Sequence, residues 1–372
     1  MSVQSSVANK QKNRNYLFEI SFLRAFACMA VVGVHVTATH YYANAQTWHW
    51  FTYFINQVGR FGTTIFAVLS GFLLFYQVRK RGFDTKKFIT SRFSKILLPF
   101  LIWSFAYRYM VFHYDGLEFQ GLGAELQRLL LGESFYHLYF IAIVVQFYFV
   151  FPLLQKIVRS RILMIVFALI SLVISYKLFG FNPGVEGALG AFFASKTFMP
   201  IWLFYFAFGG VLAYFWEEIV GFATKRPWQM LVLALVVSAG AVVEYRITGQ
   251  VSNRRLTNLI NLPLLCIATI GMYPLLTKLT VIKKPLMVIG QYSMGIYLVH
   301  PMTLYLMVEY LPNSVWTVGN IPLLFLAVMV IGVVFIRLLQ FIPLSGYVIP
   351  VPKIKKARPA QDASAERQLR SA

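Results

Sequence analysis

Charge is scarce in this 372-residue chain: Asp, Glu, Lys and Arg make up only 13% of it, about half the share of a soluble domain. Acids are scarcer still, 13 against 34 Lys and Arg, for a net charge of +21. Two isolated cysteines, Cys28 and Cys266, fall in apolar runs and exclude a disulfide framework or a thiolate metal site. The six histidines never stand four apart, and no H-E-x-x-H, G-x-x-x-x-G-K-[ST] or G-x-S-x-G occurs. Zinc-helix, phosphate-loop and serine-elbow chemistry are therefore not expected, and no metal is. No cleavable signal peptide, internal repeat or appended soluble domain is expected either.

What the chain does have is apolar length. Hydrophobic residues are 58% of it, with 35 Phe, 21 Tyr and a mean hydropathy of +0.65. A bilayer core of ~30 Å takes about 20 helical residues. Ten such runs centre on 18–41, 58–78, 95–113, 135–155, 161–179, 198–216, 228–245, 257–277, 286–308 and 321–342. The expected fold is an all-α polytopic membrane protein, ten helices in one bundle. Residues 1–16 are a polar head, 17–345 the membrane domain and 346–372 a basic, disordered tail.

The basic residues lie beside the apolar runs, so their partner is a membrane surface with its lipids rather than nucleic acid. With the N-terminus inside, the cytoplasmic segments collect 24 Lys and Arg against eight outside, which places both termini in the cytoplasm. The loop 244–256, with Arg246, Arg254 and Arg255, is basic on the external side and calls for another explanation.

The first run, Phe18 to Tyr42, carries Glu19, Arg24 and His35, and ionisable groups in a span are expensive unless used or paired. Eleven residues separate Arg24 from His35, about three turns, so both project from nearly one face with their Cα atoms ~16 Å apart. Imidazole takes a proton near neutral pH, although a helix–helix hydrogen bond serves a membrane histidine equally well. Arg24 suits an anion or a pair with Glu19. Seven basic residues between Arg79 and Lys95, including Arg81 and Arg92, would draw a phosphate-rich ligand. Ser70 sits beside Gly71 in an otherwise bulky run, and His137 opens the fourth span. Ser293, Tyr297 and His300 form a polar stripe at helical spacing, kinked at Pro301.

In order along the chain, these stretches resemble the acyltransferase-3 family of membrane acyltransferases. The likeness runs from Glu19 to about Pro343. Arg24 and His35 match its Arg-x10-His signature. FAVLSGFLL at 66–74, RFSKILLP at 92–99, HLYFI at 137–141 with Pro152, and GQYSMGIYLVHP at 290–301 match four further segments. Many members place Asp where Ser21 stands here. Glu19, five before Arg24, is similar to the branch containing the staphylococcal intercellular-adhesin polysaccharide modification protein. Tyr139 replaces a Trp, and Lys95 an Arg.

The resemblance implies a multi-pass enzyme of the cell membrane that needs no bound cofactor. It would move an acetyl or succinyl group from acyl-CoA, with acetyl-CoA the first candidate, to a hydroxyl of a surface polysaccharide or lipid-linked glycan. His35 would be the base or acyl carrier, with Arg24 and Glu19 completing the catalytic set. Arg79, Arg81, Arg92 and Lys95 would hold the CoA phosphates. Ser70, His137, Ser293, Tyr297 and His300 would line the substrate cavity, and glycan synthesis machinery would be a partner. The alternative is an exporter of polysaccharide or lipid-linked sugar.

Overall fold

The computed structural model describes residues 17–181, 184–249 and 255–352. The head 1–16, Arg254 and the tail from 353 lie outside the described residues. Every regular element within them is helical. In order these are α1 (Phe18–Ala43), α2 (Trp50–Gly59), α3 (Phe61–Arg81), α4 (Thr85–Arg92), α5 (Leu98–Asp115), α6 (Leu122–Leu130), α7 (Tyr139–Ile157) and α8 (Arg161–Lys177). Then follow α9 (Gly187–Ala194), α10 (Leu203–Tyr214), α11 (Trp216–Thr224), α12 (Pro227–Thr248), α13 (Asn258–Thr277), α14 (Thr280–Tyr310) and α15 (Ile321–Leu339).

Among the described residues, eight helical stretches, rather than ten, are long and apolar enough to cross a membrane. The two remaining expected spans are also helices. α8 has 17 residues and falls short in length. α14 has 31 and is diluted along its middle by Gln291, Ser293, His300 and Pro301. Both pack within the bundle, α8 on α10 and α14 on α1. The second and third spans begin before their apolar runs do. Trp50–Arg81 is one stretch broken at Arg60, and Thr85–Asp115 passes through a π-helical turn at Phe93–Leu97. Pro99 has no N–H to give Lys95, which suits a wider turn there.

α1 is the axis of the bundle, touching α2, α3, α13, α14 and α15. Backbones approach closely where glycine allows it. A Cβ on Gly290 of α14 would stand 2.1 Å from the Ser21 carbonyl oxygen of α1. The α3–α10 contact is reciprocal: a Cβ on Gly71 would strike the Phe206 carbonyl, and one on Gly209 the Val68 carbonyl. Residues 346–352, assigned from sequence to the tail, lie on the bundle. Ile349 and Val351 are buried, and Trp103 Nε1 donates to the Val348 carbonyl at 3.0 Å.

One charge of the basic loop, Arg255, finds its explanation in packing. Arg255 is buried; it donates to the Ala241 carbonyl at 3.0 Å and to Gln57 Oε1, with Glu244 3.7 Å away. It ties α12 to α2. A second buried cation, Arg108 of α5, holds α6. Its guanidinium meets both Glu125 oxygens at 3.0 Å and the carbonyls of Leu117 and Glu118 at 2.9 and 2.6 Å. Arg128 adds a 2.8 Å contact to the same carboxylate.

The hydrogen bond from Arg108 pulls the Glu125 carboxyl down to about 2. A carboxyl lowered on folding stabilises above its unfolded value, ~4.3, and that contribution fades as pH falls toward the folded one. Hydrogen exchange over 122–130, corrected for intrinsic rate, should stay slow from neutrality to about pH 5 and quicken between about 4 and 2. Exchange that ignores this window would rule the clamp out.

Candidate active site

The α1–α14 contact brings the site together. Ser21, Cys28 and His35 recur every seven residues on α1 and form one seam. Ser21 lies against Gly290, the Cys28 thiol 4.0 Å from the Ser293 carbonyl, and His35 against His300. The two imidazoles stack 13° from parallel, with His35 Nδ1 and His300 Nε2 2.7 Å apart. His300 is fully buried, and its Nδ1 lies 2.9 Å from the Ile296 carbonyl oxygen.

These contacts assign the protons. A carbonyl only accepts, so His300 Nδ1 carries a hydrogen and neutral His300 has a lone pair on Nε2. His35 Nδ1–H then donates to that lone pair, leaving His35 Nε2 unprotonated. The chain carbonyl–His300–His35 fixes the ring and tautomer of His35, as a carboxylate or carbonyl behind an imidazole does elsewhere. Tyr136 meets the His35 ring edge-on at 4.8 Å.

Two cavities open along α1, the smaller of them lined by His35. At the basic end, where α1 begins, one of about 520 Å³ is lined by Arg24, Arg92, Lys95, Ser70, Ser293 and Tyr297. Arg92 is stacked on Tyr148 at 5.2 Å. A smaller cavity of about 190 Å³ is lined by His35, Arg60, His137, Tyr139, Lys196 and Tyr297. Tyr297 is common to both. Its hydroxyl donates to the His137 carbonyl, and its ring stands 6.0 Å from Phe66 and 6.1 Å from Phe140. His137 is buried, and neither ring nitrogen has a hydrogen-bond partner among the described residues.

The residues singled out from sequence are thus divided. His35, His137 and Tyr297 share the small cavity; Arg24, Arg92, Lys95, Ser70, Ser293 and Tyr297 share the large one. His300 stands behind His35. Arg79 lies elsewhere, donating to the Ala213 carbonyl and stacked over Tyr214 at 5.0 Å, in a groove with Lys156 and Arg159. Arg81 is exposed at the end of α3, and Glu19, in the first turn of α1, lines neither cavity. Arg60 and Lys196, counted from sequence only as external charges, prove to line the cavity of His35. An arginine amid an apolar run was the available signal for the first.

Residues 17–339 match the acyltransferase domain that defines the acyltransferase-3 family. The chain belongs to the acyltransferase-3 family. Its curated relatives include the probable poly-β-1,6-N-acetyl-D-glucosamine export protein of Staphylococcus aureus strain MRSA252. That protein is 24% identical over 302 residues, 77% of this chain and 82% of the relative. The protein of the same name from Staphylococcus epidermidis is 24% identical over 235 residues, 60% of this chain and 62% of the relative. These names agree with the intercellular-adhesin branch that Glu19 and its spacing suggested. No solved structure matches.

For an acyltransferase-3 protein with this geometry, His300→Ala should lower turnover at least ~10²-fold, the range of a lost general-base arrangement. His300→Gln, whose side-chain oxygen can accept from His35 Nδ1–H, should retain more. Equal activity in all three proteins, read as acyl transfer in detergent, would separate His300 from the base.

Proposed function

We propose that this membrane acyltransferase moves an acyl group from acyl-CoA to a hydroxyl of a surface polysaccharide or lipid-linked glycan. The observation that carries this reading is the His35–His300 pair, which leaves an unprotonated imidazole nitrogen on His35, a residue lining a small polar cavity that shares Tyr297 with a large cationic one. On the positive-inside bias the basic end faces the cytoplasm in this reading, with the cell membrane as the host membrane it proposes.

The CoA phosphates suit Arg92 and Lys95 near the mouth of the large cavity, with Arg24 deeper on α1. Arginine forks match phosphate oxygens in pairs. The pantetheine arm then runs along the face of α1 toward His35. Serine and glutamine side chains (Ser70, Gln291, Ser293) line that route and suit its amides. Tyr297, fixed through its hydroxyl and flanked by two Phe rings, stands where the cavities meet. At that point only the thioester end needs to reach the imidazole. His35 Nε2 takes the proton of the acceptor hydroxyl, which raises its nucleophilicity toward the thioester carbon. Acetyl-CoA is the first donor to test, and a β-1,6-linked N-acetylglucosamine oligomer, from the relatives' printed name, the first acceptor.

That printed name also favours a second reading, export of the polysaccharide itself. The two readings differ in covalent outcome. Purified protein given acetyl-CoA and the oligomer should release free CoA and yield an acetylated sugar. His35→Ala should abolish both while the protein still inserts and purifies normally. Arg24→Lys should lower activity about tenfold or more if a planar fork is needed. CoA release unchanged in His35→Ala would remove this residue from the chemistry, and none from the native protein would favour the exporter.

A further inference from the structure

Arg60 stands at the break between α2 and α3, inside the continuous apolar stretch Trp50–Arg81. An arginine there is expensive unless something uses it. Its Nε donates to Asn56 Oδ1 at 3.1 Å. Asn56 is fully buried, and its amide nitrogen lies 3.1 Å from both the Val34 carbonyl and Thr37 Oγ1. Val34 is the neighbour of His35. One side-chain amide therefore grips α1 beside the imidazole and holds the guanidinium at the same time. Arg60 makes no other hydrogen bond among the described residues, so the rest of its planar donor fork is presented to the cavity that it lines with His35.

Most other groups available for negative charge are committed or displaced, and His137, whose ring nitrogens have no partner among the described residues, brings no fixed charge. The Tyr297 hydroxyl is on the His137 carbonyl. Ser293 lines the other cavity, and Lys196 Nζ sits 4.4 Å over the Tyr139 ring. Resting on the acyl-transfer reading, we propose that Arg60 stabilises the negative oxygen formed when the acceptor hydroxyl adds to the thioester, with Asn56 as its positioning residue.

The step balances as follows in bonds and protons. His35 Nε2 takes the hydroxyl proton while the hydroxyl oxygen bonds to the thioester carbon. The carbonyl π pair moves onto oxygen, which becomes the oxyanion beside Arg60. When that pair returns, the carbon–sulfur bond breaks and the thiolate takes the proton back from His35. An O-acyl ester and CoA thiol leave, and the enzyme is unchanged. A fixed cation aimed at charge that exists only in the transition state raises kcat without tightening substrate binding.

The test uses detergent-purified full-length protein, acetyl-CoA and the β-1,6-linked oligomer. Arg60→Gln should lower kcat by about 10²–10³-fold with each KM within about threefold. Arg60→Lys should keep part of the rate, and Asn56→Ala should fall between. A raised KM at unchanged kcat would make Arg60 a substrate anchor and overturn the proposal, as would unchanged kinetics. A second measurement stands apart from turnover. Methylphosphonate, a tetrahedral anion, should raise the melting temperature of the native protein and not that of Arg60→Gln. An equal shift in both, or none in either, overturns the proposal. If the native protein binds methylphosphonate through Arg60 yet releases no CoA, the anion site stands and the acyl-transfer reading falls.

Discussion

The hydrogen bond between His35 and His300 is the contact around which the rest of this bundle makes chemical sense. It joins side chains 265 residues apart, so it exists only if α1 and α14 lie backbone to backbone. Gly290 against the Ser21 carbonyl sets that distance at the basic end, and the seam continues through Cys28 to the histidines. Pro301 belongs to the same arrangement. It removes the N–H that the Tyr297 carbonyl would accept in an unbroken helix, next to the point where His300 turns back to the Ile296 carbonyl. A local weakness in the helix thus coincides with the side-chain bond that fixes the tautomer.

Charges elsewhere in the span fall into two kinds. Arg255 and Arg108 are buried against carboxylates and carbonyls, and removing one partner of such a set costs about 3–5 kcal/mol because the other charge is stranded. They clip helices. Arg24, Arg92, Lys95 and Arg60 line cavities instead, where the acyl-transfer reading puts the negative charge of its substrates. Sequence position separates the two kinds poorly. Arg255 reads as a loop residue and is a clip, while Arg60 reads as an external charge at the start of the second apolar run and lines the small cavity.

Much of this was legible in the residues. Apolar length gave the helical membrane fold, and Arg24 and His35 were exposed as anomalies in a span. The family resemblance then linked five separated stretches. What was not legible depended on tertiary distance. Ser293, Tyr297 and His300 read as one stripe, yet they divide among the large cavity, the wall and the support behind His35, because successive turns of α14 meet different neighbours. Arg79 and Arg92 belong to one basic cluster, yet the guanidinium of Arg79 is drawn to the Ala213 carbonyl and the Tyr214 ring. The ten runs read from sequence and the eight stretches long and apolar enough to cross a membrane differ at α8 and α14, both helices of the bundle: hydropathy undervalues a helix such as α14, whose polar residues are sheltered by its partners.

The unequal cavities bear on how transfer and export relate. A space of about 190 Å³ is below the range of a typical ligand pocket, ~300–1,000 Å³, and far too small for a coenzyme. The larger one, about 520 Å³, falls within that range. Under the acyl-transfer reading the coenzyme stays on the basic side, and only the acyl carbon has to reach the base. The two cavities share Tyr297, whose hydroxyl is fixed on the His137 carbonyl and whose ring is flanked by Phe66 and Phe140. A sugar chain crossing from one cavity to the other would have to displace that ring. Bringing an acyl carbon to His35 asks for less rearrangement there than passing a polysaccharide.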